Sequence, residues 1–272
     1  MYSFDYHRPL ALDQALELFK GAADPIFLAG GMTLIPTMKQ RLAAPSDVID
    51  LSNLDGLRGI ALSDNGLSIG ALTTHNEVAK NPLIQQHLPV LSQLAATIGD
   101  NQVRNRGTIG GSIANSDPAA DYPAALIGLG GTVVTQSRSI PGDDFFLDLF
   151  ETALQASELI TRIEFPLPER AAYAKFRNQA SGYAVVGSLV AEFEGKIRVG
   201  ITGAGPCACR AIGIENELMQ NPSVDVLDHV KVPDAGFNSD IEASAEYRVH
   251  LVKVLTKRAL KKCSVKPIES EK

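Results

Sequence analysis

Two glycine pairs constrain the folding and ligand binding of this 272-residue chain more than any other feature. One lies in residues 29–34 (AGGMTL), after a short apolar run, and the other in residues 107–112 (GTIGGS). Glycine reaches positive φ and lets another group approach the backbone closely. A glycine pair between a strand and a helix therefore directs several backbone N–H groups at one point, which suits phosphate. Two such loops predict a diphosphate-containing cofactor held from both sides.

The charge balance excludes one class of partner. The chain has 31 acidic and 25 basic residues, a formal net charge of -6, so the basic surface of a nucleic-acid-binding protein is not expected. An anionic cofactor must then be held by local geometry, because the overall field opposes it. The first residues lack the pattern of a secretory signal, and no apolar run reaches the length of a membrane span. We therefore expect a cytoplasmic protein without a membrane span.

The three cysteines predict neither disulfides nor a metal site. Cys207 and Cys209 are separated by one residue, which is closer than the usual spacing of zinc ligands, and Cys263 is distant in sequence. An iron–sulfur cluster normally takes four cysteine thiolates, one more than the chain has. Any iron–sulfur centre that works with this chain must therefore lie on another polypeptide.

Hydrophobic periodicity predicts a first unit of helices and strands over residues 1–55. Asp13 is predicted to cap the first helix, and Gly21 to end it. The unit's other predicted elements are a strand at 26–29, a helix that follows the glycine turn and ends near residue 45, and a strand at 48–51.

A second unit is predicted over residues 56–168. Thr74 and Glu77 have the spacing of a capping box, and residues 100–106 are predicted to form a polar loop. Asp121 is predicted to cap the helix that follows it. The remaining elements are strands at 59–62, 66–71, 132–135 and 159–165, and helices at 88–98 and 122–129.

The sequence Pro-Leu-Pro at 166–168 marks the predicted boundary with a third unit, residues 169–272. This unit is predicted to contain three strands and a long amphipathic helix with Tyr247, Leu251, Val254 and Leu255 on its apolar side. The strands are expected at 173–176, 184–193 and 197–202, and the helix at 245–262.

Several polar residues have both a structural and a ligand-binding interpretation. His75 is either an ordinary residue of a helical first turn, the more common case, or a flavin neighbour that shuttles protons. Arg104 and Arg106 contact phosphate, a partner subunit or only water. Asn115 and Asp121, together with Asp117 between them, offer acceptors for ribose or adenine. Both interpretations of Asp121, cap and ligand, are compatible.

Four segments together resemble one known pattern. They are residues 29–36 (AGGMTLIP), 69–74 (IGALTT), 98–105 (IGDNQVRN) and 107–121, which begins GTIGG and ends DPAAD. The pattern is that of the FAD-binding medium subunit of the molybdenum hydroxylases, as in bacterial carbon monoxide dehydrogenase and the xanthine dehydrogenase class. Residues 245–248 (AEYR) and 258–260 are similar to the C-terminal domain of that family. The resemblance covers essentially the whole chain.

The resemblance implies an α+β fold: a two-subdomain FAD-binding domain of the PCMH/VAO type over residues 1–168, with subdomains of about 1–55 and 56–168. A smaller α+β domain over 169–272 follows. FAD lies between the subdomains and is expected to be bound non-covalently, because residues 29–34 include no histidine or cysteine. The residues expected to contact it are Ala29, Gly30, Gly31, Met32, Thr33, Leu34, Thr108, Ile109, Gly110, Gly111, Ser112, Asn115, Asp121, Lys175 and Tyr183.

The resemblance also implies a role in electron transfer and a set of partners. Substrate is hydroxylated at a molybdenum cofactor on a large subunit, and electrons pass through [2Fe–2S] clusters on a small subunit to the FAD of this chain. The acceptor is NAD, a quinone or oxygen, and a dimer of heterotrimers is expected. No residue of this chain is expected to act on the hydroxylated substrate.

Two alternatives from other classes remain open. One is a self-sufficient flavin reductase or oxidase of the same broad fold, like the enolpyruvyl sugar-nucleotide reductases, which needs its own proton donor and substrate pocket. The other is a non-catalytic nucleotide-binding assembly module that has lost flavin. Turnover of a sugar nucleotide with NADPH favours the first, and a colourless purified protein favours the second.

Overall fold

The computed structural model describes residues 1–264, which contain helices and sheets in an α+β arrangement, as predicted. Strands β1 (Asp5–His7), β2 (Pro25–Leu28) and β3 (Asp47–Asp50) form a parallel sheet in the order β1-β3-β2. Helices α1 (Leu12–Gly21) and α2 (Leu34–Lys39) belong to the connections, because parallel neighbours require crossovers.

Two predicted helix ends in this first unit are wrong. Asp13 does not cap α1: the residue before the helix is Ala11, which makes no side-chain cap bond, and Asp13 lies in the first turn. Helix α2 stops at Lys39 rather than near residue 45. It ends there because Arg41 takes a left-handed φ of 62° and donates its N–H to the Met38 carbonyl, a Schellman-type termination.

The second unit is built on a five-stranded antiparallel sheet in the order β4-β5-β10-β6-β7. A separate two-stranded hairpin comprises β8 (Phe146–Asp148) and β9 (Glu151–Thr152). The sheet strands are β4 (Ile60–Ser63), β5 (Gly66–Gly70), β6 (Thr132–Thr135), β7 (Ser139–Pro141) and β10 (Ile160–Phe165). The helices are α3 (His75–Lys80), α4 (Pro82–His87), α5 (Pro89–Ala96), α6 (Asn101–Arg106), α7 (Ile109–Asn115) and α8 (Asp121–Gly128).

Of two local predictions in this unit, the capping box is confirmed and the polar loop is wrong. The capping box of Thr74 and Glu77 is confirmed: Glu77 donates its N–H to Thr74 Oγ1 at 3.2 Å and accepts the Thr74 N–H at 2.7 Å. The polar loop expected at 100–106 is instead α6. Asp100 caps it by accepting the Val103 N–H at 2.8 Å, so a stretch rich in polar residues still forms a helical turn.

The third unit is a four-stranded antiparallel sheet in the order β11-β12-β13-β14, accompanied by two helices. Tyr247 was predicted to lie on the apolar side of the last helix, but it is exposed and its ring meets the exposed Phe176 ring edge-on. The strands are β11 (Arg170–Arg177), β12 (Ala184–Phe193), β13 (Lys196–Thr202) and β14 (Cys209–Arg210), and the helices α9 (Ile212–Gln220) and α10 (Ala245–Ser264).

The third sheet packs directly on the second unit. Helix α8 lies against β12 and β13, and α10 also packs on β12, whose residues 184–191 are all buried. The approach of α8 is so close that a Cβ on Gly200 would lie 2.3 Å from the Ala124 carbonyl oxygen. Glycine is therefore required at this position. The predicted domain division at residue 168 stays a prediction.

Residues 1–264 contain neither a helix that could span a membrane nor a cluster of metal ligands. None of the helices within residues 1–264 has the length and apolar character needed to cross a membrane. The same residues hold no group of three or more His, Cys, Asp or Glu side chains arranged to bind a metal ion.

Removing the Thr74 hydroxyl should destabilise the start of α3. We expect Thr74→Ala to lower the free energy of unfolding by about 1 kcal/mol, because the Glu77 N–H loses its buried acceptor. Chemical denaturation of the full chain measures this loss. Thr74→Ser keeps the oxygen and should retain most of the stability; equal losses in both variants would contradict the capping role.

Candidate functional site

A cavity of about 820 Å³ lies between the first and second units, and residues 181–183 of the third unit complete its wall. Its size is within the range of small-molecule and cofactor sites. All residues predicted to contact the cofactor line it except Ile109 and Lys175. Ile109 is wholly buried in the core of the second unit, and Lys175 lies behind the wall, against Asp121.

The first glycine pair leaves backbone donors free at this cavity. In the described part of the chain, the N–H groups of residues 30–33 donate to no protein acceptor. Gly31 has a φ of 74°, in the left-handed region, and its carbonyl is taken by the N–H of Ile35 at 3.1 Å. Successive free amides around a left-handed residue form an anion-binding concavity. This loop therefore offers several donors to one ligand group.

The second glycine pair has a different role, and the prediction of a second amide cluster is wrong. Ile109 and Gly110 donate their N–H groups to the carbonyls of Thr73 and Ala71 at 3.0 and 2.9 Å. Gly111 and Ser112 donate to the Thr108 hydroxyl and carbonyl. The sequence pattern failed because a helix, α6, precedes this loop in place of the predicted polar loop, and no strand leads into the glycines. These amides are used to fix α7 to the protein.

What the second pair supplies is space. A Cβ on Gly110 would lie 2.5 Å from the Ala71 Cβ, so glycine lets α7 pack against the end of β5. A Cβ on Gly111 would meet only the Thr108 hydroxyl, at 2.8 Å, and the Ala29 Cβ, at 3.6 Å. Gly111 therefore keeps the wall flat between the two loops, where a ligand can lie against the backbone.

Asp121 does not cap α8, because Ala120 is at the cap position and makes no side-chain bond. The Asp121 carboxylate is buried, and it accepts the Tyr173 hydroxyl at 2.6 Å and the Lys175 ammonium at 2.9 Å. Burial raises the pKa of Asp121, and the Lys175 charge opposes that shift. Asp121 thus links the cavity wall to the sheet of the third unit.

Lys175 also holds the loop that carries Tyr183 in place through a hydrogen bond. Its ammonium donates to the Gly182 carbonyl at 3.1 Å, next to Tyr183, and Gly182 has a left-handed φ of 77°. Tyr183 lines the cavity and is 43% exposed. Burial and the nearby Asp117 and Asp121 carboxylates raise the Tyr183 pKa, so its hydroxyl is a proton-bearing donor at neutral pH.

His75 is a cavity residue whose structural interpretation was favoured from sequence. It does lie in a capped first turn, but its ring is buried and lines the cavity, 5.3 Å from the Tyr122 ring. Burial, assisted by the Arg104 charge, lowers the pKa of His75 from 6.5 to about 4, so the imidazole is neutral at pH 7. Its Nδ1 has no hydrogen-bond partner among residues 1–264.

Glu158 is a further acidic residue of the wall, beside Asp117 and Asp121, and sequence reasoning missed it. Its carboxylate accepts hydrogen bonds from Arg138 Nε and Nη2, both at 2.8 Å, and from the Thr135 hydroxyl, also at 2.8 Å. These bonds, chiefly those from Arg138, lower the Glu158 pKa to about 2. No local motif signals this role, because its partners, Thr135 and Arg138, lie 23 and 20 residues earlier in the chain.

Arg104 and Arg106 lie outside the cavity lining. The Arg104 guanidinium donates to the carbonyls of Ile98 and Gly99 at 2.8 and 2.9 Å, and thereby ties α6 to the preceding segment. Asn115 and Asp117 do line the cavity. Of the polar residues with two interpretations, the arginines are therefore separated from the site and the others are brought into it.

Comparison with known proteins gives one matching family model and several relatives that span the chain. The model, described as the FAD binding domain in molybdopterin dehydrogenase, matches residues 2–168. The glyceraldehyde dehydrogenase medium chain of Sulfolobus acidocaldarius is 35% identical over 95% of this chain and 97% of its own length. The carbon monoxide dehydrogenase medium chain of Hydrogenophaga pseudoflava is 32% identical, with 94% and 96% covered.

Solved structures agree with these sequence relatives. Carbon monoxide dehydrogenase from Hydrogenophaga pseudoflava, in a form that lacks the Mo-pyranopterin moiety, superposes with a TM-score of 0.86 at 32% identity, covering 96% of both chains. Quinoline 2-oxidoreductase from Pseudomonas putida 86 superposes with a TM-score of 0.87 at 28% identity, again with 96% of each chain. The similarity therefore includes the third unit as well as the region that the family model matches.

Replacing Lys175 should leave a buried carboxylate without its cation. We expect Lys175→Met to lower the free energy of unfolding by about 3 kcal/mol at pH 7, since removing one partner of a buried ion pair is strongly destabilising. The double variant Lys175→Met with Asp121→Asn should recover at least half of that loss in urea denaturation. Additive losses in the double variant would contradict the coupling.

His75 should make stability depend on pH below neutrality. Its unfolded-state pKa is near 6.5 and its folded-state pKa is about 4, so acidification protonates the unfolded chain first. Stability that is present above pH 6.5 is then lost as the pH falls toward 4, by about 2 kcal/mol between pH 7 and 5. Denaturation at both pH values should show this excess loss in the wild type relative to His75→Gln. Parallel pH profiles would contradict it.

Proposed function

This chain belongs to the family of the FAD-binding domain in molybdopterin dehydrogenase, and we propose that FAD occupies the 820 Å³ cavity. The chain is the flavoprotein subunit of a multi-subunit molybdenum hydroxylase and an oxidoreductase component. One observation carries the location of the site: a loop whose four backbone amides have no acceptor within residues 1–264 lies on a cavity of cofactor size, and the family model matches this loop.

The donor set of this cavity fits a dinucleotide. The amides of residues 30–33 would hold the diphosphate, since several donors converge there without protein partners in the described chain. Gly111 and Ser112 would give the ligand room beside α7, and Asn115 would lie on the ribose–adenine side. FAD, when bound, supplies storage for two electrons together with one-electron exchange.

The surrounding residues determine the electrostatics of the site. Neutral His75 adds no charge to the wall, and its buried Nδ1 has no hydrogen-bond partner within residues 1–264. Glu158 stays ionised and is neutralised by Arg138, and so it adds little net charge to the wall. Tyr183 would lie near the flavin ring as a hydroxyl donor. Lys175 would act from behind the wall by positioning that loop through the Gly182 carbonyl.

The relatives are medium subunits of complexes that also contain large and small subunits. The three cysteines of this chain are too few for an iron–sulfur cluster, so the [2Fe–2S] clusters belong to a partner. The molybdenum centre is proposed for the large subunit. We further propose a dimer of heterotrimers in the cytoplasm. The proposed electron acceptor is NAD, a quinone or oxygen.

Purification of the native complex from cells that do not overexpress this chain alone tests the function. We expect flavin and iron–sulfur absorbance together, molybdenum by elemental analysis, and two companion chains by mass spectrometry. A yellow single chain without metal would instead establish the self-sufficient flavoenzyme. A colourless chain would contradict the cofactor assignment.

A side chain at residue 111 should obstruct the cavity wall. We expect Gly111→Val to lower FAD retention more than tenfold, because its branched side chain would occupy the space between the two loops. Gly21→Val is the matched control, since a Cβ at Gly21 meets nothing within 4 Å. FAD per chain after gel filtration is the measurement, with circular dichroism to check the fold. Full flavin content in Gly111→Val would contradict this location.

A further inference from the structure

The β8–β9 hairpin exposes a cluster of large apolar side chains that the cofactor site does not use. Leu147, Leu149 and Phe150, here called the hairpin patch, are 56%, 54% and 58% exposed. Within residues 1–264, no other four consecutive positions expose three large apolar side chains by more than half. Single exposed apolar residues are common on protein surfaces, but three within four positions of one hairpin are typical of an interaction site.

The base of the hairpin is rigidly held. Phe145 and Phe146 are buried, and their rings pack edge-on with centroids 5.1 Å apart. The Phe145 carbonyl accepts the Ala153 N–H at 2.9 Å, which closes the base of the hairpin. The hairpin patch is therefore presented on an anchored support.

The tip adopts an unfavourable backbone conformation that leaves an aromatic residue exposed. Phe150 has a φ of 54°, in the left-handed region that bulky residues rarely adopt. Ser116, another left-handed residue, donates its hydroxyl to the Glu151 carbonyl at 3.4 Å, next to Phe150. Strained positions of this kind persist where the surroundings enforce them, and they concentrate at functional surfaces.

Acidic side chains surround the patch. Asp144, Asp148 and Glu151 are exposed, and none of them forms an ion pair with a cation in the described part of the chain. Asp143, by contrast, is neutralised by Arg198 and Arg210. An apolar centre with a charged rim is the usual anatomy of a protein interface. The complementary surface is an apolar pocket with lysine or arginine at its edge.

The hairpin adjoins the cofactor cavity. The chain leaves β9 and within two residues reaches Leu154, Gln155 and Ala156, which line that cavity. A protein seated on the hairpin patch would therefore lie beside the cavity wall. Electron transfer slows steeply with distance, so the subunit that supplies electrons must dock close to this wall.

We propose that the hairpin patch is the docking surface for the partner subunit that delivers electrons to the cavity, through an apolar pocket with a basic rim. This inference rests on the proposed function, because the partner is the iron–sulfur subunit of the complex. The acidic rim orients the approach of the basic edge, and the three apolar side chains supply the buried centre.

The test replaces the patch in the native complex. The double variant Leu149→Ser with Phe150→Ser should reduce the iron recovered per copy of this chain at least tenfold after affinity purification and gel filtration. Ile241→Ser is the control, since Ile241 is a fully exposed apolar residue elsewhere on the surface. FAD content and circular dichroism of the double variant should remain at wild-type levels, which separates lost docking from misfolding.

Charge reversal tests the rim separately. Asp148→Lys with Glu151→Lys should weaken recovery of the iron-bearing partner. Recovery of the partner should also depend less on salt concentration in this variant than in the wild type. Wild-type recovery of iron in both sets of variants would overturn the docking proposal and leave the function intact. Loss of a dimer of this chain with iron retained would assign the patch to self-association and overturn it too. Absence of any iron-bearing partner from the wild type would instead contradict the proposed function.

Discussion

The buried contact between Asp121 and Lys175 connects the parts of this molecule that form the site. Two charges taken out of water are stable together only when further hydrogen bonds satisfy their remaining positions. Tyr173 does this for the carboxylate and the Gly182 carbonyl does it for the ammonium. One contact therefore fixes the start of α8, the face of β11 and the loop of Tyr183 at the same time. The cavity wall depends on contacts made by the third unit.

The two glycine pairs meet different structural requirements. Residues 30–33 keep their amides unpaired within the described chain, which is tolerable only where water or a ligand can reach them. The amides of residues 109–112 are paired, and glycine is present at residue 110 because α7 must approach Ala71. A ligand between the loops would thus receive hydrogen bonds from one side and contact area from the other. This asymmetry suits a dinucleotide with one anionic and one largely planar part.

The sequence predicted what depends on neighbouring residues. The capping box of Thr74 and Glu77 was confirmed, as was the α+β class, and the strand pattern placed most of the sheet elements. The cap predicted at Asp121 failed because the partners of its carboxylate lie more than 50 residues away on β11. His75 and Glu158 entered the cavity wall for the same reason, since burial and distant partners set their roles. The spacing of residues along the chain does not predict such long-range contacts.

The match of the family model ends at residue 168, but residues beyond it make contacts that the cavity wall needs. The fragment 2–168 contains the glycine loops and Asp121, whereas the cation and the hydroxyl that satisfy Asp121 follow on β11. Separated from the third sheet, that fragment would bury a carboxylate without compensation, or expose it and open the cavity wall. It would also expose the face of α8 that packs on β12 and β13. The third unit therefore completes the cavity wall, and the relatives and solved structures likewise align with the chain over nearly its whole length.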